Sequence, residues 1–223
     1  MADTVQVKIY DEPALDTAEI LRYAAMRSTT SETAALLEEC LDEVRGRLTY
    51  KVCFRSLPLN VRGDTLDLGF AETDSADLRR ALRGCCSIVL FAATVGLAPD
   101  QLIARYGRTA PSKAFLFQAI GTERIESLCN AFSADIEKKA LANSLHTCPR
   151  FSPGYGDLPL SLQNDIFQAL DCPRKIGLSL NGSLLMTPAK SVTANIGIGR
   201  ERDLPSHSCA SCGKQDCVYR RNI

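Results

Sequence analysis

Two spacings of apolar residues follow one another along this chain, and they restrict its fold more than any other feature. Residues 31–45 have the spacing of an amphipathic α-helix, with apolar side chains at Ala34, Leu37, Leu41 and Val44. From residue 48 apolar and polar side chains alternate, as on a β-strand with one buried face. Both patterns recur later without a regular strand–helix–strand alternation, which favours an α+β fold with a largely antiparallel sheet.

The same patterns predict the other elements. Helices are predicted at about 16–26, 31–45, 75–83, 111–143 and 158–170, and strands at 48–55, 61–70, 85–93, 176–180 and 191–199. A capping box from Thr29 to Glu32 would open the second helix. Segment 61–70 is expected to pair with strand 48–55. The run 85–93 is apolar throughout, which predicts a central strand covered on both faces. The long helix has Gly121 as a point of interruption.

Charge and hydropathy narrow the range of partners. Lys+Arg and Asp+Glu both number 26, so the net charge indicates neither a nucleic-acid partner nor an anionic membrane. The longest apolar run is far shorter than the ~18 residues that a membrane helix needs. No basic segment followed by an apolar one opens the sequence, so we expect a cytoplasmic location.

Ten cysteines fall into two groups. Seven are scattered within mostly apolar patterns and are expected to be small core side chains with reduced thiols: Cys40, Cys53, Cys85, Cys86, Cys129, Cys148 and Cys172. The other three, Cys209, Cys212 and Cys217, are crowded near the end of the sequence. We therefore predict one domain over residues 1–203 and a Cys-rich tail over 204–223.

The tail has the spacing of a metal site. Two residues separate Cys209 from Cys212, so both thiolates can meet one metal from a single turn, and Cys217 follows as a third ligand. His207 is the candidate fourth ligand. The set suits zinc or an iron–sulfur cluster. The alternative is an exposed tail with free thiols.

Residues 150–157 form the segment richest in chemistry. Their sequence, Arg-Phe-Ser-Pro-Gly-Tyr-Gly-Asp, combines two glycines and a proline, which predicts an irregular, tightly turned backbone. The segment presents a guanidinium at Arg150, a phenol at Tyr155 and a carboxylate at Asp157. It is a candidate ligand site; the alternative is a surface loop in which Arg150 and Asp157 pair with each other.

This loop closely resembles the Arg-x-x-Pro-Gly-Tyr loop of the activation domain of cobalamin-dependent methionine synthase. The run 150–163 is similar to stand-alone relatives of that domain, as is segment 93–96. Segment 185–192 resembles the family's Met-x-Pro-x-x-Ser-Val, and residues 126–132 resemble part of its long helix. Over about residues 15–200, the resemblance implies a C-shaped single α+β domain with a twisted, largely antiparallel sheet flanked by helices.

The resemblance implies a shallow groove that binds S-adenosylmethionine. Arg150 would hold the methionyl carboxylate with its planar fork, a contact that lysine could not copy. The backbone at Ser152 would meet the adenine or ribose, and Gly154 and Tyr155 would complete the ligand-binding part of the loop.

The family also places a carboxylate on its long helix, near the cationic end of the ligand. The matching position here is Asn130, whose amide accepts a hydrogen bond but cannot neutralise a charge. Glu126, one turn earlier, is the candidate replacement. The family's N-terminal aspartate contact has no identifiable counterpart in this sequence.

The implied function is that of an accessory module rather than a complete enzyme. It would support reductive methylation of cob(II)alamin on a separate cobalamin-binding methionine synthase protein, with an electron donor such as flavodoxin or ferredoxin. One alternative is an activator of another corrinoid methyltransferase. Another is a metal or iron–sulfur redox adaptor that has lost S-adenosylmethionine binding and works through its tail.

Overall fold

The computed structural model describes residues 4–26 and 30–200. In chain order the elements are β1 (Gln6–Tyr10), α1 (Thr17–Tyr23), α2 (Ser31–Val44), β2 (Tyr50–Pro58), β3 (Asn60–Arg62), β4 (Thr65–Asp67), β5 (Glu72–Thr73), α3 (Ala76–Ala81), β6 (Cys85–Thr94), α4 (Ala98–Tyr106), α5 (Pro111–Leu141), β7 (His146–Thr147), a 3₁₀ turn (Leu160–Leu162), α6 (Gln163–Leu170), α7 (Cys172–Ile176), β8 (Ser179–Leu180), β9 (Met186–Thr187) and β10 (Ser191–Gly199).

A curled five-stranded sheet lies at the centre, in the order β1-β2-β6-β10-β7, and every neighbouring pair is antiparallel. β6 is the middle strand of this sheet and is buried along most of its length, as its apolar run predicts. Helix α5 covers one face, and α6 and α7 pack against the other. The predicted α+β class with a largely antiparallel sheet is therefore confirmed.

The predicted apolar face of α5 is buried against the sheet: Ile125, Leu128, Cys129, Phe132 and Ile136. Phe132 lies between two aromatic rings of the sheet, with centroids 5.2 Å from Phe54 and 4.8 Å from Phe91. Burying a side chain of this size contributes about 1.5–3 kcal/mol. This packing fixes which face of α5 is turned away from the sheet.

Gly121 does not interrupt α5, which runs unbroken through this position. The glycine instead permits a close approach. A Cβ at residue 121 would lie 2.9 Å from Cγ and 3.0 Å from Cε of Lys190, so the lysine stem crosses the helix where no side chain blocks it. The sequence pattern could not distinguish a break from a close approach.

A second core joins the sheet's long helix to the other helices. The N-terminal half of α5 packs with α1, α2 and α4 around Ile20, Leu37, Leu41, Leu102, Phe117 and Ile120. At the edge of this core, the side chains of Glu123 and Arg124 are each only 1% exposed and form an ion pair. Arg124 also donates to the carbonyls of Pro13 and Ala14, at 2.7 and 2.8 Å. These bonds fix the segment that leads into α1.

One predicted pairing and one predicted exposed face are wrong. Segment 61–70 does not pair with strand 48–55; β3, β4 and β5 form a small sheet of their own, and β2 pairs with β1 and β6. The second face of β2 is also covered, since Cys53 is fully buried. The more apolar β6 takes the place predicted for the 61–70 segment, because it buries more surface against β2.

Helix starts and short elements account for the remaining differences. α2 is capped by Thr30, whose hydroxyl accepts from the backbone N–H of Thr33; the predicted cap Thr29 lies outside the described residues. The predicted strand 176–180 is replaced by the end of α7 and the two-residue β8. β1 and α4 were not predicted. Within 4–26 and 30–200 no helix is long and apolar enough to cross a membrane.

Five of the seven scattered cysteines are buried, as predicted: Cys40, Cys53, Cys129, Cys148 and Cys172. Cys85 is half-buried and Cys86 is exposed. Both stand at the start of β6, where successive side chains point to opposite faces of the sheet.

Candidate ligand-binding site

The loop of residues 150–157 is attached to the edge of the central sheet. Phe151 and Asn195 of β10 exchange two backbone hydrogen bonds, each 2.9 Å long. Since neighbouring residues of an extended chain point to opposite faces, this pairing directs Phe151 and Arg150 in opposite directions. Phe151 packs against the core under α6, and Arg150 reaches the face covered by α5.

A tight turn follows, and its geometry is dictated by two residues. The N–H of Tyr155 donates to the carbonyl of Ser152 at 3.1 Å, with Pro153 and Gly154 between them. Gly154 has φ of 87°, so the turn needs a residue that tolerates positive φ at its third position, while proline suits the second. The Pro-Gly pair thus sets the backbone that follows Arg150.

Asp157 anchors the end of the loop to α3. Its carboxylate accepts from the Ser75 hydroxyl and from the backbone N–H groups of Ala76 (2.8 Å) and Asp77 (3.2 Å). The Ser75 hydroxyl, followed by these N–H groups, holds the pKa of the Asp157 carboxyl below its usual value. Asp157 therefore does not pair with Arg150, and the simple surface-loop alternative is wrong on this point.

Gly156 allows this anchor to form. A Cβ at residue 156 would lie 2.1 Å from a carboxylate oxygen of Asp77, and the backbone has φ of 53°. Asp77 in turn accepts from the N–H of Asp157, at 3.2 Å. A side chain at position 156 would therefore collide with the Asp77 carboxylate and disturb its bond to the N–H of Asp157.

Arg150 meets both of the predicted positions on α5. Its Nη2 donates to Oε2 of Glu126 and to Oδ1 of Asn130, each at 3.0 Å. Its Nη1 is buried and has no hydrogen-bond partner among the residues that the structure describes. The arginine side chain is 23% exposed. One guanidinium nitrogen is thus held by the helix while another is left with unused N–H groups.

A cavity of about 330 Å³ opens beside this arginine. It is lined by residues of α3 and of the loop: Asp77, Arg80, Ala81, Pro149, Arg150, Phe151, Tyr155 and Gly156. Its volume lies at the lower end of the range typical of small-molecule sites. The same Asp157 anchor that holds the loop to α3 therefore also shapes the wall of the cavity.

Tyr155 lies at the rim of the cavity and is 58% exposed. Its ring meets Phe151 edge-on, with centroids 6.0 Å apart. An exposed aromatic ring held by a second ring is a suitable surface for a flat ligand group. Ser152 is half-buried, and its carbonyl is used by the turn.

Sequence reasoning missed other polar groups around α5. Nζ of Lys190 donates to Oγ1 of Thr122 at 2.9 Å, and burial lowers the pKa of this lysine. Thr122, Glu126 and Asn130 follow at intervals of four, so they share one face of α5. The spacing was readable from the sequence, but the position of Lys190 depends on the close approach at Gly121.

Two further residues near the site could not have been found from a pattern. Asn195 is fully buried, and neither polar atom of its side-chain amide has a partner in the described part of the chain. Tyr23, at the end of α1, has a raised pKa because it is buried and because the negative charge of Glu126 is near. In the sequence pattern, both positions look like ordinary core positions of a helix or strand.

The predicted metal ligands His207, Cys209, Cys212 and Cys217 lie outside the described residues. Within 4–26 and 30–200, no group of three or more His, Cys, Asp or Glu side chains could hold a metal ion.

Comparison with known proteins gives one kind of match. No protein-family model matches the sequence, and no curated protein matches it. Among solved structures, the chain is similar to a crystal structure of the MetH reactivation domain bound to AdoHcy, with a TM-score of 0.63 and 15% identity. The match covers 91% of this chain and 81% of that chain. At this identity the likeness shows the fold alone.

Proposed function

We propose that this chain binds S-adenosylmethionine and supports the reactivation of a cobalamin-dependent methionine synthase carried by a partner protein. The fold it shares with the MetH reactivation domain supports this function, because that domain was solved with AdoHcy, the product that S-adenosylmethionine becomes when it gives up its methyl group. The observation that carries the proposal is the state of Arg150.

The unpartnered Nη1 of Arg150 favours an anionic ligand. A buried donor without a partner costs about 1–3 kcal/mol, and a bond to a charged acceptor recovers this cost. Glu126 and Asn130 hold the guanidinium through Nη2. The remaining N–H groups are thus oriented before a ligand arrives, and a carboxylate is the group that this fork binds best. We assign them to the methionyl carboxylate.

The positive charges of the ligand require an acidic neighbour. S-adenosylmethionine carries an ammonium and a sulfonium besides its carboxylate, so its net charge is positive. Glu126 supplies a carboxylate one helical turn from Asn130, close to Arg150. A single carboxylate that contacts both the arginine and the ligand would explain how Asn130 can replace the family's acidic residue.

The adenosine end is assigned to the loop. Tyr155 offers an exposed ring at the rim of the cavity, and its backbone N–H donates to the carbonyl of Ser152. Gly154 supplies the positive φ that this turn requires. A purine stacked on Tyr155 would bury apolar area that is now exposed to water.

Such a module works by positioning. Cobalamin on the partner would supply the cobalt centre that receives the methyl group, and a flavodoxin or ferredoxin would supply the electron. This chain's residues would hold the carboxylate and the adenosine at two fixed points, so that the sulfonium between them faces the partner. No acid–base residue is needed for this task.

Calorimetry tests the binding half of the proposal. The full chain should bind S-adenosylmethionine and AdoHcy with one site each, and it should not bind methionine and adenosine added separately with comparable affinity. The Asp165→Asn variant removes a negative charge from an exposed position on α6, away from the loop, and should bind both ligands as the unchanged chain does. Absence of heat and of any thermal shift with either ligand would refute binding.

A reconstituted assay tests the client. Methionine synthase lacking its own reactivation domain and oxidised to the inactive state would be mixed with a reduced flavodoxin and S-adenosylmethionine. Methionine formation should return only when this chain is added. Binding of S-adenosylmethionine without recovery would leave the ligand assignment intact and point to another corrinoid methyltransferase as client.

For the tail we propose one metal centre at Cys209, Cys212 and Cys217, with His207 as the fourth ligand, on the spacing alone. Metal analysis and an absorption spectrum of anaerobically purified protein distinguish the two candidates. Broad visible absorption that bleaches on reduction indicates an iron–sulfur cluster, and a colourless protein with one zinc indicates a structural site. A protein free of both refutes the assignment.

A further inference from the structure

Two cysteines outside the proposed ligand contacts lie side by side. The Sγ atoms of Cys85 and Cys148 are 3.1 Å apart, although 63 positions separate the residues in sequence. Cys85 is the first residue of β6, and Cys148 lies in the segment that leads to Arg150. The N–H of Cys148 donates to the carbonyl of Gly197 at 2.9 Å, which ties this segment to β10.

The surrounding backbone is shaped to admit this pair. A Cβ at residue 197 would lie 2.6 Å from Sγ of Cys85 and 3.1 Å from Sγ of Cys148, so only glycine leaves room for both sulfurs. The register of β10 on β6 shifts between Ile198 and Gly199, which places Gly199 opposite Cys85. A glycine and a strand irregularity thus bring the two thiols into contact.

We infer that Cys85 and Cys148 form a redox-active dithiol that a hydroperoxide converts into an intramolecular disulfide. The sulfurs need to move by only about 1 Å to reach the bond length of ~2.05 Å. Since Arg150 is two residues beyond Cys148, the disulfide would link the segment that carries this arginine covalently to β6. This site is independent of the proposed ligand contacts.

The chemical step balances with hydrogen peroxide as oxidant. The Cys148 thiolate attacks one peroxide oxygen, the O–O bond breaks, and the released hydroxide takes a proton and becomes water. This leaves a sulfenic acid on Cys148. The sulfur of Cys85 then attacks the Cys148 sulfur, the S–O bond breaks, and the leaving hydroxide takes the Cys85 proton and becomes a second water. Two electrons pass from the thiols to the peroxide.

The electrostatics of the pair agrees with these roles. A hydrogen bond with the Cys85 thiol lowers the pKa of Cys148, while the same bond raises the pKa of Cys85. Cys148 is therefore the thiol that ionises first, and the thiolate is the reactive form. Cys85 is half-buried and Cys148 is buried, so a molecule as small as hydrogen peroxide would reach the pair from the side of Cys85.

The chain contains its own matched control. Cys53 and Cys172 are also neighbouring thiols, since their interaction raises the pKa of Cys172, but both residues are fully buried in the core under α6 and α7. Thiol contact is thus shared by the two pairs, and they differ because Cys85 is half-buried whereas both members of the second pair are fully buried. If proximity alone governed oxidation, both pairs would react alike.

The experiment is peroxide titration of the full-length chain carrying Cys86→Ser, so that tryptic peptide 84–105 contains Cys85 as its single cysteine. After alkylation of the remaining thiols, peptide mass spectrometry should show 84–105 joined to 140–150 with a loss of two hydrogen atoms. Cys53 and Cys172 should be alkylated only after denaturation. Treatment with a dithiol reductant should restore both peptides.

Two outcomes would overturn the inference. One is alkylation of Cys85 and Cys148 as free thiols while peroxide has oxidised the tail cysteines. The other is joining of Cys85 to a cysteine other than Cys148. A Cys85→Ser variant keeps the test valid if the disulfide proves hard to isolate: its Cys148 should accumulate a sulfenic acid that a dimedone-type reagent traps, and no trapping there also refutes the inference.

Discussion

Arg124 and Arg150 each pair with a glutamate of α5, but only Arg124 has partners for all of its guanidinium nitrogens among the described residues. Arg124 is 1% exposed, and its nitrogens donate to the carboxylate of Glu123 and to two backbone carbonyls. Arg150 also has a glutamate of α5 as partner, but its Nη1 is buried without one in the described part of the chain. We call the Arg124 network closed, because each of its guanidinium nitrogens has a partner, and the Arg150 network open, because Nη1 has none in the described part of the chain.

Whether the arginine's donors all have partners therefore distinguishes a structural ion pair from a candidate binding residue, although both residues are arginines. In the closed network, Glu123 also accepts from the Ser127 hydroxyl at 2.6 Å and from the N–H of Asp16 at 3.2 Å. Every guanidinium nitrogen of Arg124 has a partner among the described residues, so this network holds the segment before α1. Arg150, in contrast, lines a cavity and keeps a buried donor without a partner in the described residues, and such a group calls for an explanation.

The largest effect is expected from opening the closed network. Arg124→Met should lower the free energy of unfolding by about 3–5 kcal/mol, because it leaves the buried Glu123 charge without its partner. Urea denaturation measures this loss. Arg174→Met is the matched control: its pair with Asp171 is exposed and should contribute at most about 1 kcal/mol. Equal losses in both variants would contradict the distinction.

Arg150→Met should show the reverse profile. S-adenosylmethionine binding should weaken by about 1.5–3 kcal/mol, roughly tenfold to a hundredfold, through loss of a charged hydrogen-bond partner. The unfolding free energy should change by no more than about 1 kcal/mol, since the lost ion pair is partly exposed. Calorimetry and urea denaturation on the same preparation give both values. Unchanged affinity in the folded variant would remove Arg150 from the site.

Asn130→Glu adds a second negative charge to the open network, beside that of Glu126. We expect tighter S-adenosylmethionine binding by on the order of 1 kcal/mol, because opposite charges a few ångströms apart near a surface attract by this much or more. AdoHcy lacks the sulfonium charge and should gain less, so the ratio of the two affinities should rise. If both ligands bind more weakly, the new carboxylate competes for Arg150, and Glu126 alone serves the cationic end.

The loop anchor should depend on pH in a direction set by Asp157. Its folded pKa lies below the usual value of 3.8, so its contribution to stability is complete above that value and is lost as the pH falls through the folded pKa. Asp157→Asn should be less stable than wild type at neutral pH, and the gap should close on acidification. Urea denaturation over a pH series checks this; a gap that stays constant would mean the charge is not involved.

The smallest effect is expected from the tail. Deletion of residues 206–223 should leave S-adenosylmethionine affinity unchanged, because the open network is built from α5 and the loop at 150–157. Calorimetry on the shortened chain provides the comparison. A loss of binding would show that the groove is completed by residues beyond 200.

Local chemistry made part of this molecule predictable. Pro153 and Gly154 dictate their turn, since proline fixes one φ and glycine permits the other. The stripe from Ile125 to Ile136 had to face a core because five apolar side chains recur at helical spacing. Arg150, Glu126 and Asn130 were each identified through a resemblance, and the structure brings them into contact.

The pairing of strands that are distant in sequence was not predictable. β1 is mostly exposed, and its apolar residues Val7 and Ile9 face solvent, so its place depends on pairing with β2 and on the bonds from Lys8 and Tyr10 to Asp135. Whether segment 61–70 or β6 would lie beside β2 depended on total burial, which a window of sequence does not report. The burial of Asn195 and the contact of Cys85 with Cys148 likewise depend on the register of β10 on β6.

Helix α5 has a consequence for how the molecule unfolds. With 31 residues it spans about 46 Å at 1.5 Å per residue, and its two halves belong to different cores, the helical one and the one on the sheet. If either core unfolds, the other loses the half of α5 that is continuous with its own packed half. Unfolding should therefore occur as a single cooperative transition, and Glu126 and Asn130, close to where the two cores meet, stand on the part of the helix least free to fray.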